Sequence, residues 1–344
     1  MRRPLLIGLI VGGLAFVALV VVGAIFAIGV IDRQDALAEQ EAAAAELATV
    51  VIEVEAAVLE AGQVLELAAD PLLPAAAVGS LTAERDAASA ALDVAAALAA
   101  DPATLDTEQV RELSADLVTA TADLDDDDAL VWTALRDLVI ATQASAIDVE
   151  AANFEAENQP HIGFRQAVRN LEEAPPDDIG EYLFSYLDAA HAFEASHAEE
   201  IAEKAGPLFD RRMAVQQFAR SIAGGVLLDF DWAPIVNGYG AGGSYGGTSY
   251  WYAEAGGYAT ITLSDSVATM WPGAGVQSLV AHEVGHAILS KCTELFYPSE
   301  FYANEEESWA TAWAIGMGYT ADGSGESIYG RPPDGLIQLT TRCR

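Results

Sequence analysis

Residues 276–290 read Val-Gln-Ser-Leu-Val-Ala-His-Glu-Val-Gly-His-Ala-Ile-Leu-Ser. Leu279, Val280, Val284, Ala287 and Ile288 recur at helical spacing, so the stretch is expected to form a helix with an apolar face. His282 and His286 then stand one turn apart on a single face, where two imidazoles can grip one divalent ion. Glu283 is carried beside them, able to accept a proton from water. A helix whose His/Glu face is merely solvated is the plain alternative, and the apolar flanks argue against it.

An ion held this way needs a third protein ligand and an open position for water. No histidine follows His286, but Glu305, Glu306 and Glu307 stand about twenty residues downstream. They open an apolar stretch, residues 308–315, that reads as a second helix. On this reading any of the three acids can be the ligand.

The motif with a downstream glutamate on a second helix resembles the zincin metallopeptidases of the Glu-ligand (gluzincin) type. Many secreted bacterial members carry Glu-x-x-Ala-Asp, then a small residue, an aromatic and Ala. Here Glu307-Ser-Trp-Ala-Thr-Ala-Trp-Ala314 matches that frame with Thr311 in place of Asp. The resemblance implies Zn²⁺ as cofactor, His282, His286 and Glu307 as ligands, and amide hydrolysis of a peptide or protein substrate with Glu283 as base. A second frame, Asn304-Glu305 set against thermolysin-like enzymes, points to Glu305 instead. The family's Asp hydrogen-bonds a ligand histidine and raises its basicity; a Thr hydroxyl can accept that bond but brings no charge. Tyr258–Leu263 alternates and is rich in β-formers, a strand by its own pattern. The resemblance makes it the edge strand along which substrate backbone pairs. Asn237–Gly257, rich in Gly and Tyr, reads as a flexible loop or hairpin, or functionally as the rim of a substrate cleft. Tyr319 and Tyr329 are candidates for oxyanion donors that the sequence does not place. The resemblance covers residues 250–318.

Towards the N-terminus, Met1-Arg2-Arg3 precedes an uncharged run from Pro4 to Ile31, closed by Asp32 and Arg33. About 20 apolar residues span a bilayer core, and no cleavage site ends the run, so it reads as an uncleaved signal anchor. The positive-inside rule keeps the N-terminus cytoplasmic. The expectation is a single-pass protein of the cell membrane, with lipid contact through residues 4–31 and an extracellular C-terminal domain. In that setting a single Cys292–Cys343 disulfide is the simple expectation.

Between anchor and motif lies an acidic, Ala-rich region. Leu37, Ala44, Val51, Val58 and Leu65 repeat every seven residues, and Leu47, Val54, Ala61 and Ala68 supply a second seam. A long coiled-coil or bundle helix follows, broken over residues 70–79 by Pro71 and Pro74. A second helix is expected over 81–100. A third starts at the Asp106/Gln109 capping-box spacing, with a loop or bend at Asp125–Asp128, and a fourth follows Asp178/Glu181 and reaches Lys204. His161, His191 and His197 read as surface or packing residues. With 52 acidic against 16 basic residues the net charge is −36, which repels phosphate backbones, so nucleic acid is not an expected partner. Self-association through the helical region is left open.

The expected fold is α+β: an anchor at 1–31, an all-α region at 32–205, and a zincin-like domain with a short sheet and an active-site helix at 206–344. The alternatives to a peptidase are a non-catalytic zincin-like binding module and a helical envelope structural protein.

Overall fold

The computed structural model describes residues 31–297 and 305–344. The chain divides into two compact units. Of the described residues, one comprises 31–148 with 167–187, and the other 149–166 with 188–297 and 305–344.

The first unit is helical. Helix α1 (Ile31–Leu65) packs on α2 (Ala75–Ala97), and the long helix α3 begins at Thr107 and ends at Ala152. On α1 the buried stripe runs Ala36, Gln40, Ala43, Leu47, Val50, Val54, Ala57, Ala61 and Val64. The Leu47/Val54/Ala61 seam is therefore inside. The other seam lies one residue ahead of the expected Leu37/Ala44/Val51/Val58/Leu65 set, which is only half-buried. At the start of α3 the Gln109 N–H donates to Asp106 Oδ1 at 3.0 Å, and Asp106 N–H donates to Gln109 Oε1 at 2.9 Å, a reciprocal capping box. Asp125–Asp128 form no bend; the helix runs through them. Helices α4 (Asn158–Glu172) and α5 (Ile179–Glu203) follow, of which residues 167–172 and 179–187 belong to this unit and the rest to the second. Glu60, buried on α1, takes the place of an N-cap by accepting from the Gly180 N–H at 2.7 Å.

The second unit is built on a three-stranded sheet. After α6 (Phe209–Ile222) come β1 (Leu227–Ala233), β2 (Gly247–Tyr252) and β3 (Tyr258–Ser264), in the order β1-β3-β2. β1 runs parallel to β3, pairing Asp229 with Thr260 and Phe230 with Ile261, and β2 runs antiparallel to it. Alternation then sends Leu228, Phe230, Ala259, Ile261 and Leu263 into the core, and Asp229, Asp231, Thr260 and Thr262 to the opposite, polar face. The strand predicted at 258–263 is thus the centre of the sheet, not its edge. The edges belong to β1 and to β2, the latter inside the stretch read as loop or hairpin.

A short helix α7 (Asp265–Met270) leads to α8 (Ala274–Phe296), which packs against β2, β3, α6 and α9 (Glu305–Gly316). Enclosed on so many sides, α8 is buried almost throughout from Val276 to Cys292, and fully buried Trp309 and Trp313 of α9 fill the adjoining core. Helices α10 (Glu326–Tyr329) and α11 (Asp334–Thr340) complete the unit. Cys292, at the end of α8, is bridged to Cys343, whose carbonyl accepts from Trp313 Nε1 at 2.9 Å.

These observations correct the α+β expectation. Helix covers 71% of the described residues, and a small three-stranded sheet is their only strand structure, so the chain is mostly helical. The reason lies in the strands, which are short and serve as one wall for α8. The expected anchor, residues 4–31, falls outside the described residues except for Ile31. Among the described residues no helix is long and apolar enough to cross a membrane. The transmembrane helix and the single-pass membrane localisation are therefore without support and are not carried further.

Candidate metal centre

His282 and His286 project from one face of α8, as their spacing requires, and what brings a third ligand to them is a glycine. At Gly285 the backbones of α8 and α9 come so close that an added Cβ would lie 2.9 Å from Ala310 Cα. One turn earlier on α9, Glu307 is thereby set against the two imidazoles. Its Oε2 stands 3.1 Å from His282 Nε2 and 3.2 Å from His286 Nε2, and the two ring nitrogens are 3.2 Å apart. Among the described residues these three form the one group of such side chains placed to hold a metal ion.

The geometry can be tested against an ion. Ligand atoms about 2.0–2.1 Å from a tetrahedral centre lie roughly 3.3–3.4 Å from one another, close to the observed triangle. The protonation pattern agrees. His282 Nδ1 lies 3.1 Å from the Ser324 carbonyl, which can only accept, so Nδ1 carries a proton and Nε2 is the nitrogen left to bind an ion. That nitrogen faces a carboxylate oxygen and a second imidazole nitrogen. Protons shared as hydrogen bonds hold these three atoms together here, and a divalent cation could take the place of those protons. The residues fit a divalent metal.

Of the acids whose side chains are described, position singles out Glu307. Glu307 joins the histidines, while Glu306 is exposed and accepts from Trp251 Nε1 at 3.2 Å. The side chain of Glu305 is not among those described. Burial opposes ionisation of Glu307, but hydrogen bonds from both histidines outweigh it and hold the carboxyl far below its ordinary range. For His286, burial works against the proton and Glu307 and Glu283 outweigh it, so its pKa is raised. Glu283 is wholly buried, and burial raises its pKa against the opposing charges of His282 and His286. It lies against the first residue of β2: a Cβ on Gly247 would come within 2.7 Å of Glu283 Oε1.

Thr311, the departure from the family pattern, has its hydroxyl 3.4 Å from His282 Nδ1, farther than the Ser324 carbonyl. The orienting acceptor is therefore main chain. It reaches the ring because Gly325 adopts φ +92°, and a Cβ at that position would collide with Thr311 Oγ1 and the His282 ring. Nothing in the motif frame announced this loop; the Gly323-Ser-Gly325 alternation is the one signal for it.

A cleft of about 330 Å³ opens over His282 and Glu283, lined also by Tyr239, Tyr245, Gly247, Ile328 and Tyr329. The Tyr329 ring lies parallel to His282 with centroids 5.8 Å apart. Burial, then the charge of Glu307 and a hydrogen bond to it, pushes the Tyr329 phenol up to about 12. Tyr319 is elsewhere, edge-on to Phe218 in the core. His161 packs on Phe193 and bonds Glu150 at 2.9 Å, and His191 is near Glu194, so neither joins the centre.

Comparison of the chain with family models, curated proteins and solved structures returned no match.

Proposed function

We propose that this chain is a zinc-dependent peptidase with His282, His286 and Glu307 as ligands and Glu283 as general base. The observation that carries the reading is the triangle of three lone-pair atoms within 3.2 Å of one another, with a buried carboxylate on the residue next to one of them. Zinc held there would supply Lewis acidity, lowering the pKa of water at the site and polarising a carbonyl. The protein's own groups do the rest. The Ser324 carbonyl fixes His282 as the Nδ1–H tautomer, keeping Nε2 available as a donor of its lone pair. Glu283 takes a proton from the attacking water on a carboxylate oxygen and passes it to the leaving amine nitrogen. The outer edge of β2 offers main-chain groups to an extended peptide, and glycine at 247 lets that backbone lie directly over Glu283. Of the two tyrosines considered as oxyanion donors, only Tyr329 lines the cleft, and it is the one assigned that role.

Iron also uses two histidines and a carboxylate. The buried Glu283 favours hydrolysis, because a proton carrier beside the ligands is what amide cleavage needs. The test is elemental analysis of the purified protein together with cleavage of a peptide library. Zinc near one equivalent is expected, with Glu283→Gln keeping the metal and losing hydrolysis, and His286→Ala losing both. Iron in place of zinc, or full activity in Glu283→Gln, overturns the reading. Metal without any hydrolysis favours a binding module.

A further inference from the structure

Strand β2 stands at one end of the sheet and pairs only with β3. Which of its main-chain groups face the open side follows from the register. Ser264 N–H donates to the Gly246 carbonyl at 2.9 Å, one step beyond the Gly247–Leu263 pair, so Gly246 faces β3. In an antiparallel ladder the direction alternates, and each outward residue presents its N–H and its carbonyl together. Thr248, Tyr250 and Tyr252 therefore also face β3, while Gly247, Ser249 and Trp251 present their groups to the open side.

Gly247 lies against Glu283, and its carbonyl is already taken. Asn237 Nδ2 donates to it at 3.2 Å. A tight turn aims that amide. Val236 and Tyr239 exchange two main-chain hydrogen bonds, at 2.8 and 2.9 Å, and Asn237 and Gly238 between them have φ +50° and +82°. Both are left-handed, as in the hairpin turn that favours Asn-Gly, because Asn tolerates that region and Gly enters it without steric cost. Asn237 also lines the metal cleft. The chain thus sets a side-chain amide where the N–H of a pairing peptide would otherwise bind. With that carbonyl occupied, a peptide cannot complete a pair at Gly247, whereas Ser249 and Trp251 stay open to it.

We propose that Asn237 is a positioning residue for the peptide substrate, ending the pairing edge at Ser249 and turning the substrate main chain out of the strand beside Glu283. The inference rests on the peptidase reading. A peptide unit locked in a ladder has its carbonyl committed to the neighbouring strand. One released at Gly247 is free to present that carbonyl to the cleft, the orientation that attack by water requires.

Asn237→Gly tests the proposal, because glycine keeps the left-handed turn and removes the amide. The zinc-loaded full chain is given one unstructured peptide that the wild type cleaves. Hydrolysis yields kcat, and calorimetry in the Glu283→Gln background, where the peptide stays intact, yields its Kd. In Asn237→Gly, kcat is expected to fall about 10- to 100-fold, as when reacting groups are misplaced. Kd is expected to tighten about 2- to 10-fold, because the freed carbonyl adds one main-chain hydrogen bond to the peptide. Zinc content and unfolding temperature are expected to match the wild type. Asn237→Asp also suits the turn, but an ionised carboxylate only accepts, and kcat is expected to fall likewise. A kcat unchanged in either variant overturns the inference and leaves the peptidase reading intact. So does a fall in kcat with peptide bound no more tightly in Asn237→Gly, the mark of a merely structural role, and so does loss of zinc from that variant. No hydrolysis by the zinc-loaded wild type defeats both.

Discussion

Replacing Gly285 by alanine adds one methyl group at the crossing of α8 and α9. That methyl would lie 2.8 Å from the Ala310 carbonyl oxygen, where ordinary contact begins at 3.4 Å, so the helices must part by about 0.6 Å (3.4 − 2.8). Overpacking of this kind costs roughly 1–3 kcal/mol, and about 2 kcal/mol lowers the unfolding midpoint of a domain this size by roughly 4–8 °C. The same shift carries Glu307 off the imidazoles, and if the proposed zinc site is real its affinity is expected to fall about 10- to 100-fold, the range seen when support around ligands is lost. Chelator competition for zinc and thermal unfolding measure the two effects. Gly163→Ala in α4 is the control, since nothing lies within 4 Å of its added Cβ, and it is expected to be neutral or stabilising. Wild-type stability and zinc affinity within about threefold in Gly285→Ala would refute the idea that this contact places the third ligand.

Thr311→Val is expected to change zinc affinity by less than about threefold, because the Ser324 carbonyl holds the His282 proton at the shorter distance; chelator competition with a tenfold loss would contradict this. Reduction of the Cys292–Cys343 bridge, which spans 51 positions, is expected to cost about 4 kcal/mol by chain entropy, and denaturation with and without reductant shows whether it does. His161 is buried, and burial holds its pKa below the ordinary 6.5 against the hydrogen bond it donates to Glu150. The unfolded chain therefore takes up the proton first, so stability present above pH 6.5 falls as pH drops below it. Urea titrations at several pH values should show that loss diminished in His161→Gln; an undiminished loss would point to other groups.

How much of this was written in the sequence depends on the length of the signal. The motif helix, the central strand and the Asp106–Gln109 capping box were legible, because each rests on a local period or a short fixed spacing. Helix α1 was legible as a helix but its seam was drawn one residue late. Alanines at 36, 43 and 57 are the buried knobs, and the larger Leu37 and Val58 beside them attracted the assignment. Small residues permit close helix approach, which a hydrophobicity count cannot register. Asp125–Asp128 read as a break because four like charges repel, yet flanking turns anchored by buried Leu124 and Val131 keep the helix continuous. Strand β2 was hidden by the glycines before it and by having a partner on one side only. At the centre, Glu307 stood among three indistinguishable acids until the Gly285–Ala310 contact chose its register.

The proton acceptor that aims His282 has no side chain. A carboxylate in that role can be lost in a single codon change, whereas a peptide carbonyl persists through any replacement at position 324. Vulnerability moves instead to Gly325, whose left-handed turn brings the carbonyl into reach. Mutational drift around the candidate metal centre is thus buffered where chemistry would predict fragility, and sharpened at a residue outside the candidate ligand set.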